Sequence, residues 1–454
     1  MVDFVSWIFC AGSFLVTFYL IRRRGFLDGA RPAWLVCLLI VPCWMLLPVA
    51  VMHVDARCMA CFAILLGFLL LPCQYTATMG LYFSDLFILL IVTGMTISQI
   101  NVQSVAPMAP FDPIREIALP YFVGRLFLQT PRDIESILPV FCWCILILAS
   151  MALFEAVLKQ NVIEIVLERS WKGSEEIDSV RWGLKRAYGT QTHPIYFGLT
   201  FALLLPWAIE AAVQSYHHRG PRWWKFTPLF ALIGVVSTGS RAAQVVSITV
   251  LGTTLFHAAP RLRPLFIFLI AFGGIGFYAA RDEVVNLLQN YADESKEGDS
   301  FVMINGEQYE YSGTKHRDLL LVVYREAIEN AGWLGYGTQM KQLPRDSDMD
   351  ARFISIDNHY LMFFLQYGDL SLLFFALLAA SVLWNLLGPF LRGTGPSGRI
   401  AAGLLGSIGG CLIAMRGVWF ANDYSTVWLF CAGMTVPLAA WQRLGLTSGA
   451  NLRA

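Results

Sequence analysis

Three consecutive hydrogen-bonding residues, Asp357, Asn358 and His359, stand directly before a long apolar run. Asp and Asn are favoured helix N-caps because their side-chain oxygens accept the first free backbone N–H groups, but a cap needs only one such residue. The field of a helix N-terminus lowers the pKa of a histidine and leaves a neutral imidazole that can accept a proton. His359 is therefore the predicted proton acceptor, and Asp357 is predicted to cap or orient.

Three arginines stand at polar breaks in the chain. Arg241 follows Ser240 between two apolar runs, Arg317 begins an amphipathic stretch, and Arg186 precedes His193-Pro194. Each has a structural reading as a charge facing headgroups or solvent, and His193 has one as a helix cap. The alternative is an anion site, because a guanidinium group presents a planar fork that matches phosphate oxygens. Arg241 and Arg317 are predicted to bind one phosphate-sized anion between them.

The composition predicts a membrane protein. Hydrophobic residue types make up 56% of the chain and charged residues only 14%, whereas soluble domains carry about a quarter charged residues. The mean hydropathy is +0.57. Apolar runs recur that are long enough, at about 1.5 Å per residue, to cross a hydrocarbon core of about 30 Å. The net charge of +1 gives no reason to expect a nucleic-acid partner.

The apolar runs predict an all-α polytopic integral membrane protein with about thirteen transmembrane helices. Basic residues concentrate in alternate connections, beginning with Arg22, Arg23 and Arg24, and the positive-inside rule places those connections in the cytoplasm. The N-terminus and the polar segment 281–356 are then outside. The predicted spans lie near 4–21, 33–52, 58–73, 80–99, 117–130, 136–158, 192–213, 226–239, 241–258, 264–280, 358–385, 400–418 and 424–441.

This topology divides the chain into three parts. Residues 1–280 hold ten helices, residues 281–356 form one large extracytoplasmic loop, and residues 357–454 hold three helices and a cytoplasmic tail. Within the loop, Asn305-Gly306 has the residue types of a type I′ turn and predicts a hairpin, and an amphipathic helix follows to about residue 330. No metal site is predicted, because the single CxxC motif has no second ligand pair and the alternating carboxylates at 346–350 are typical of a solvated loop, with a Mg²⁺ site as the alternative there.

The order of these features resembles the O-antigen ligase and O-antigen polymerase superfamily, which includes exopolysaccharide polymerase-like proteins. The matching features are Ser-Arg at Arg241, an arginine at Arg317 followed by Gly335-x-Gly337, and the triplet that begins at Asp357. Further matches are Gly124-Arg125, Arg186-x-x-Gly189, His193-Pro194, and Tyr360-Leu361 followed by Gly368. Ligases of this family have His-Asn where this chain has Asp357-Asn358, and Asp-Asn favours a polymerase.

The resemblance implies a fold like that of the C-type glycosyltransferases and an enzyme of the bacterial inner membrane whose active site faces the periplasm. The donor would be a glycan on undecaprenyl pyrophosphate, and the acceptor a glycan or glycolipid hydroxyl, with no cofactor and no metal. Its residues would fall into three groups: catalytic His359, Asp357 and Asn358, pyrophosphate-binding Arg241, Arg317 and Arg186, and substrate-binding Arg125, His193 and Tyr360.

Several alternatives remain open at this stage. The first is an O-antigen ligase that transfers glycan to the lipid A core. A second, from another class, is a polysaccharide flippase or transporter, although transporters place their ionisable residues near the midplane, often in repeated halves. A third is a non-catalytic subunit that works with other glycan-assembly proteins. Membrane lipid is a partner in every case.

Overall fold

The computed structural model describes residues 4–49, 52–70, 80–103, 111–168, 180–268, 272, 300–304, 307–311, 316–338, 343, 353, 356–420 and 423–445. Helices make up 79% of the structure, which agrees with an all-α membrane protein. Among the described residues, six helices are long and apolar enough to cross a membrane by length and composition. The number rises to seven if Arg241–Ala258 and Pro260–Phe268, which meet at a bend of 106°, form one span.

The first half of the chain is a run of helices with two small hairpins. Its elements are α1 (Phe4–Arg24), α2 (Phe26–Leu39), β1 (Leu47–Val49), β2 (Met52–Val54), α3 (Ala56–Leu70), α4 (Phe83–Gln103), a π-helical turn (Ile114–Ala118) that leads into α5 (Leu119–Phe127), α6 (Asp133–Leu158), α7 (Val162–Leu167), β3 (Val180–Arg181), β4 (Leu184–Lys185) and α8 (Pro194–Tyr216).

The second half adds the polar loop and the last helices. Its elements are α9 (Thr227–Ser237), α10 (Arg241–Ala258), β5 (Ser300–Ile304), β6 (Glu307–Tyr311), α11 (His316–Val323), α12 (Arg325–Ala331), α13 (His359–Arg392), α14 (Gly395–Ala414) and α15 (Tyr424–Arg443).

Several predicted spans are shorter in the structure than the apolar runs that suggested them. The span expected at 33–52 is wrong: α2 ends at Leu39, and β1 pairs with β2 in a hairpin. The span expected at 226–239 contains a 3₁₀ turn and the eleven-residue α9. Much of α2 is buried against other helices, so an apolar run here reflects a protein interior rather than a full crossing of lipid. Most of the run at 264–280 lies outside the described residues.

The core of the bundle is built on α8 and α15, whose residues are buried along almost their whole length. Close approach depends on small residues: a Cβ on Gly124 of α5 would lie 2.1 Å from the carbonyl oxygen of Phe430 on α15. Helices α8, α13 and α15 begin at the same end of the bundle. There the Tyr196 and Tyr424 rings lie 5.5 Å apart, and His359 lies next to the residues that lead into α15. We call this end the site end.

The polar loop folds onto the first turns of α13. The predicted hairpin is confirmed, since β5 pairs with β6 in an antiparallel register around positions 305–306. The predicted loop helix is also confirmed, as α11 and α12. A separate apolar cluster joins these elements to α13, and its buried members are Val302, Ile304, Leu319, Leu320, Tyr324, Ala327, Ala331, Leu343, Phe353, Ile356, Leu361 and Leu365. The loop is therefore anchored directly beside the Asp357–His359 triplet.

Two glycines make this anchorage possible. Helix α13 is broken at Gly368, whose φ of 74° favours glycine. A Cβ there would lie 2.3 Å from the backbone of Trp333, and one on Gly335 would lie 2.6 Å from the backbone of Gln366. The freed backbone groups are satisfied across this contact, because Tyr336 N–H donates to the Leu365 carbonyl at 2.7 Å. The Gly335-x-Gly337 motif thus holds the loop against the break in α13.

We expect Gly368→Ala to destabilise the protein by more than about 2 kcal/mol, because it combines a positive φ with a backbone clash. The matched control is Gly332→Ala, which has a φ of 57° but nothing within 4 Å of the added Cβ. The measurement is thermal denaturation in detergent, followed by size-exclusion chromatography. Equal losses in the two variants would show that φ alone matters and that the contact with Trp333 does not.

Candidate active site at the ends of helices α8, α10 and α13

A buried glutamate holds in place the loop that carries Arg186 and His193. Glu155, near the end of α6, accepts hydrogen bonds from Gly189 N–H at 2.9 Å and from the Asn161 side-chain amide at 3.0 Å. Gly189 has a φ of 53°, and a Cβ there would lie 2.3 Å from the ring of Phe197. The backbone between Arg186 and α8 is consequently held in one conformation.

Two arginines of this region lie on the polar break that precedes α10. Arg186 Nε donates to the Thr238 carbonyl at 3.2 Å, and Arg181 donates to the Gly239 carbonyl. A Cβ on Gly239 would touch the side chains of both arginines, at 3.3 Å and 3.5 Å. Arg241 is the first residue of α10, two positions later. Three guanidinium-bearing residues therefore meet around one turn of backbone.

The charges of these arginines act on one another. Burial lowers the pKa of Arg186, the positive charges of Arg181 and Arg241 lower it as well, and together they bring it to about 10. Groups of like charge that are close enough to shift a pKa create a potential that favours an anion. Ser240 caps α10 by accepting from Ala243 N–H at 3.3 Å, so the N-terminus of this helix adds its partial positive charge at the same place.

His193 lies beside this cluster as the N-cap of α8. Its Nδ1 accepts from Ile195 N–H at 3.2 Å, which assigns the proton of the neutral ring to Nε2. Burial and then the charge of Arg186 lower the pKa of His193, the carboxylates of Asp357 and Asp423 oppose the shift, and the net pKa is about 4. The imidazole is therefore neutral at physiological pH. It can donate a hydrogen bond through Nε2 but is a poor base.

Asp357 lies at this same place although it is far away in the sequence. Its charge acts on His193, and its side chain is exposed at the start of α13. The expectation that Asp357 caps the helix is wrong, because the cap is Asn358, whose Oδ1 accepts from Leu361 N–H at 3.2 Å. Asp357 is thereby left outside the helix with its carboxylate on the side of His193.

His359 does not face the arginines. Its side chain is 2% exposed and lies among Phe363, Phe375 and Phe420, with ring centroids 5.0–5.3 Å away. Neither ring nitrogen has a hydrogen-bond partner among the described residues. The sequence-based role as proton acceptor required a ring that faces the anion site, so this orientation is a correction. As the first residue after the cap, His359 packs onto its own helix and onto the segment before α15.

Tyr360 is also used for packing. Its hydroxyl donates to the Leu412 carbonyl and ties α13 to α14, and its ring lies 5.8 Å from that of His359. The structure gives it no place in the group around Arg186 and His193.

The guanidinium group of Arg317 lies next to Gly417, just beyond the C-terminal end of α14. Its Nη2 donates to the Gly417 carbonyl at 3.0 Å, and a Cβ on Gly417 would lie 2.5 Å from its guanidinium carbon. Helix α14 packs antiparallel on α10, with Gly410 against Val246, so Gly417 is beyond the end of α10 at which Arg241 stands. That Arg317 and Arg241 share one anion stays a prediction.

Arg125 lies elsewhere, which corrects its assignment to the substrate site. It forms an ion pair with buried Asp85, at 2.7 Å between Nη1 and Oδ2, and its guanidinium lies 5.5 Å from the centre of the Tyr82 ring. Arg443, the last residue of α15, contacts the same ring. Helix α15 begins at the site end and is about 30 Å long. Arg125 therefore joins the network at the opposite end of the bundle.

Sequence reasoning missed Asp423, which joins two helix starts at the site end. This buried carboxylate accepts from Thr192 N–H at 2.8 Å, from the Thr192 hydroxyl and from the Cys43 thiol at 2.9 Å. It thus fixes the residue before His193. Glu155 and Arg181 were missed as well. A carboxylate within an apolar span was the available signal for Glu155, whereas nothing in the local sequence marks Asp423.

No protein-family model and no curated protein matches this chain. The arrangement of the side chains is therefore the basis for any functional statement. It combines a cluster of positive charge, a neutral imidazole donor and an exposed carboxylate, supplied by the segments around residues 181–193, 241 and 357. Such a group can hold an anionic leaving group and accept a proton from a nucleophile beside it.

Proposed function

We propose that the chain is a polysaccharide polymerase, a metal-independent glycosyltransferase that transfers glycan from undecaprenyl pyrophosphate to a sugar hydroxyl in exopolysaccharide or O-antigen biosynthesis. The observation that carries this proposal is the convergence of Arg186, Arg241, His193 and Asp357 at one end of the helix bundle. These residues come from three separate segments of the chain. A carboxylate beside a cluster of arginines is what this reaction requires.

In the proposed reaction the pyrophosphate of the donor binds to Arg186 and Arg241, with the Nε2–H of His193 as a further donor. The acceptor hydroxyl attacks the anomeric carbon, and the bond from that carbon to the phosphate oxygen breaks. The electron pair leaves with undecaprenyl pyrophosphate, whose added charge the guanidinium groups stabilise. Asp357 takes the proton of the attacking hydroxyl. Fixed positive charge from arginine supplies what a divalent cation supplies in other transferases, so the proposal includes no metal.

We place the site end at the periplasmic face of the bacterial inner membrane, within a bundle of transmembrane helices that resembles C-type glycosyltransferases. The support for this orientation is the distribution of basic residues over the connections. At the opposite end, Arg399 holds buried Glu210 through two hydrogen bonds of 2.7 Å and 2.9 Å, and Arg125 is paired with Asp85. Buried ion pairs that lock this end favour an enzyme over a flippase, which must open to both sides.

Reconstitution tests the proposal directly. Full-length protein in liposomes would receive undecaprenyl-pyrophosphate-linked repeat units extracted from cells that lack this protein. We expect longer glycans and free undecaprenyl pyrophosphate, both absent with Asp357→Asn. Movement of the donor across the bilayer without elongation would replace the polymerase by a flippase. Transfer only after a lipid A core acceptor is added would identify the ligase alternative, which uses the same site.

A further inference from the structure

The hairpin of β3 and β4 has an unusual residue at its tip. Its two turn residues, Trp182 and Gly183, have φ values of 54° and 76°, as a two-residue type I′ turn requires. Such turns favour Asn, Asp and Gly, and a left-handed backbone costs other residues about 1–2 kcal/mol. Trp182 is nevertheless 56% exposed, so burial offsets little of this cost. A strained and exposed residue without a packing reason points to a role outside folding.

The hairpin lies directly on the arginine cluster. Arg181, the residue before the turn, donates to the Gly239 carbonyl, and its Cδ would lie 3.5 Å from a Cβ on that glycine. The charge of Arg181 acts on Arg186. Consecutive Cα atoms are about 3.8 Å apart, so the exposed indole of Trp182 begins one residue from a guanidinium group of the anion site.

The chemistry of the proposed donor explains why an indole would stand there. The first sugar of a lipid-linked glycan is bonded directly to the pyrophosphate, so a phosphate held by Arg181 brings that sugar close to the next residue. The C–H face of a sugar ring is apolar, and a large flat aromatic side chain offers it contact area at low entropic cost. Sites of this kind combine such aromatic surfaces with a few polar groups that fix orientation.

We propose that the hairpin Val180–Lys185 is a sugar-diphosphate clamp, in which Arg181 binds a phosphate oxygen and Trp182 stacks on the sugar bonded to that diphosphate. The clamp rests on the proposed function and extends it to two further binding residues. Tryptophan is also common at membrane interfaces. The surroundings favour the sugar, because the neighbours of Trp182 in the turn are Arg181 and Gly183 and the hairpin covers the polar break before α10.

The variant Trp182→Asn tests the role of the indole in binding without disturbing the fold of the hairpin. Asparagine suits the positive φ and should preserve the hairpin or stabilise it slightly, yet it removes the stacking surface. The probes are undecaprenyl pyrophosphate with and without one hexose, and the measurement is their affinity for the full chain in nanodiscs. We expect Trp182→Asn to weaken binding of the sugar-bearing lipid about tenfold and to leave binding of the sugar-free lipid unchanged. Trp182→Phe should restore most of the loss.

Arg181→Ala should weaken both lipids about tenfold or more, because it acts on the diphosphate. The matched control for tryptophan is Trp384→Ala, which removes an indole that is 70% exposed near the far end of α13. Equal weakening of both lipids by Trp182→Asn would identify a membrane or structural role and overturn the clamp. So would unchanged affinity for the sugar-bearing lipid.

The two proposals fail in different ways. If the wild type binds neither pyrophosphate lipid, the proposed function fails together with the clamp. If the wild type binds both, and Arg186→Ala loses binding while the Arg181 and Trp182 variants keep it, the anion site stands and the clamp alone is wrong.

Discussion

Replacing Arg241 or Arg186 with lysine should lower the rate of polymerisation by about a hundredfold or more, while the protein still inserts and accumulates. Removal of one group that stabilises developing charge commonly costs about 10²–10³-fold in kcat. Lysine keeps the positive charge but loses the planar fork that can hold two oxygens of one phosphate. The expected loss therefore measures geometry rather than net charge. It is read from the initial rate of undecaprenyl pyrophosphate release at saturating donor.

The matched control is Arg325→Lys on the surface of α12. Its side chain is 79% exposed and pairs with Glu329 at 3.1 Å, so we expect an unchanged rate. A kcat for Arg241→Lys and Arg186→Lys that equals the wild-type value would remove both residues from the leaving-group site. A raised KM with unchanged kcat would assign them to donor binding alone, because only interactions that strengthen in the transition state raise kcat.

Arg317 can be tested in the same assay. If it binds the same pyrophosphate as Arg241, the double variant should be much less impaired than the product of the two single effects, because residues that act on one group are coupled. Independent effects would place Arg317 at another part of the substrate. Its contact with the Gly417 carbonyl, donated by Nη2, holds the side chain at the site end.

Local rules predicted local structure well. The residue types at positions 305–306, which favour a type I′ turn, were sufficient to predict the β5–β6 hairpin. The apolar spacing through Leu319 and Leu320 was sufficient to predict the loop helix. The same rules selected Arg186, His193 and Arg241, because each stands where an apolar run begins or ends. Their convergence could not be derived in this way, since it depends on how α8 and α10 pack.

Long-range contacts explain what sequence reasoning missed. Asp423 binds Thr192 and Cys43, which are 231 and 380 positions away, and no local pattern marks a partner at such a distance. Arg181 belongs to the site only because its hairpin folds back onto Gly239. The number of spans was predicted from apolar runs, yet the part of the run 33–52 that lies in α2 is largely buried against other helices. Hydropathy does not distinguish a protein neighbour from a lipid neighbour.

The prediction for His359 was wrong because the helix begins one residue later than the prediction assumed. The prediction allowed 357 to be the cap, and electrostatics then favoured a histidine near the helix start. In the structure the cap is Asn358, so His359 is the first helical residue and turns towards Phe363 and Phe375. The carboxylate of Asp357 is the group left outside the helix.

The assignment of the base can be decided with two substitutions. We expect Asp357→Asn to abolish polymerisation, by about a thousandfold or more, because an amide of the same shape cannot accept the hydroxyl proton. We expect His359→Phe to keep most of the activity, since its ring lies in an aromatic pocket that a phenyl group fits. His359→Ala is less informative, because the cavity that it leaves would cost about 2–4 kcal/mol in stability.

The two variants must be compared at equal amounts of folded protein, measured by size-exclusion chromatography in detergent. Full activity in Asp357→Asn together with none in His359→Phe would return the role of base to the histidine, and α13 would then have to rotate or unwind at its first turn during the reaction. Loss in both variants would mean that His359 positions the α13 start rather than accepting the proton. A positioning role predicts a raised KM for His359→Phe, because Asn358 and Asp357 would shift together. Loss of the base would instead lower kcat at any concentration of donor.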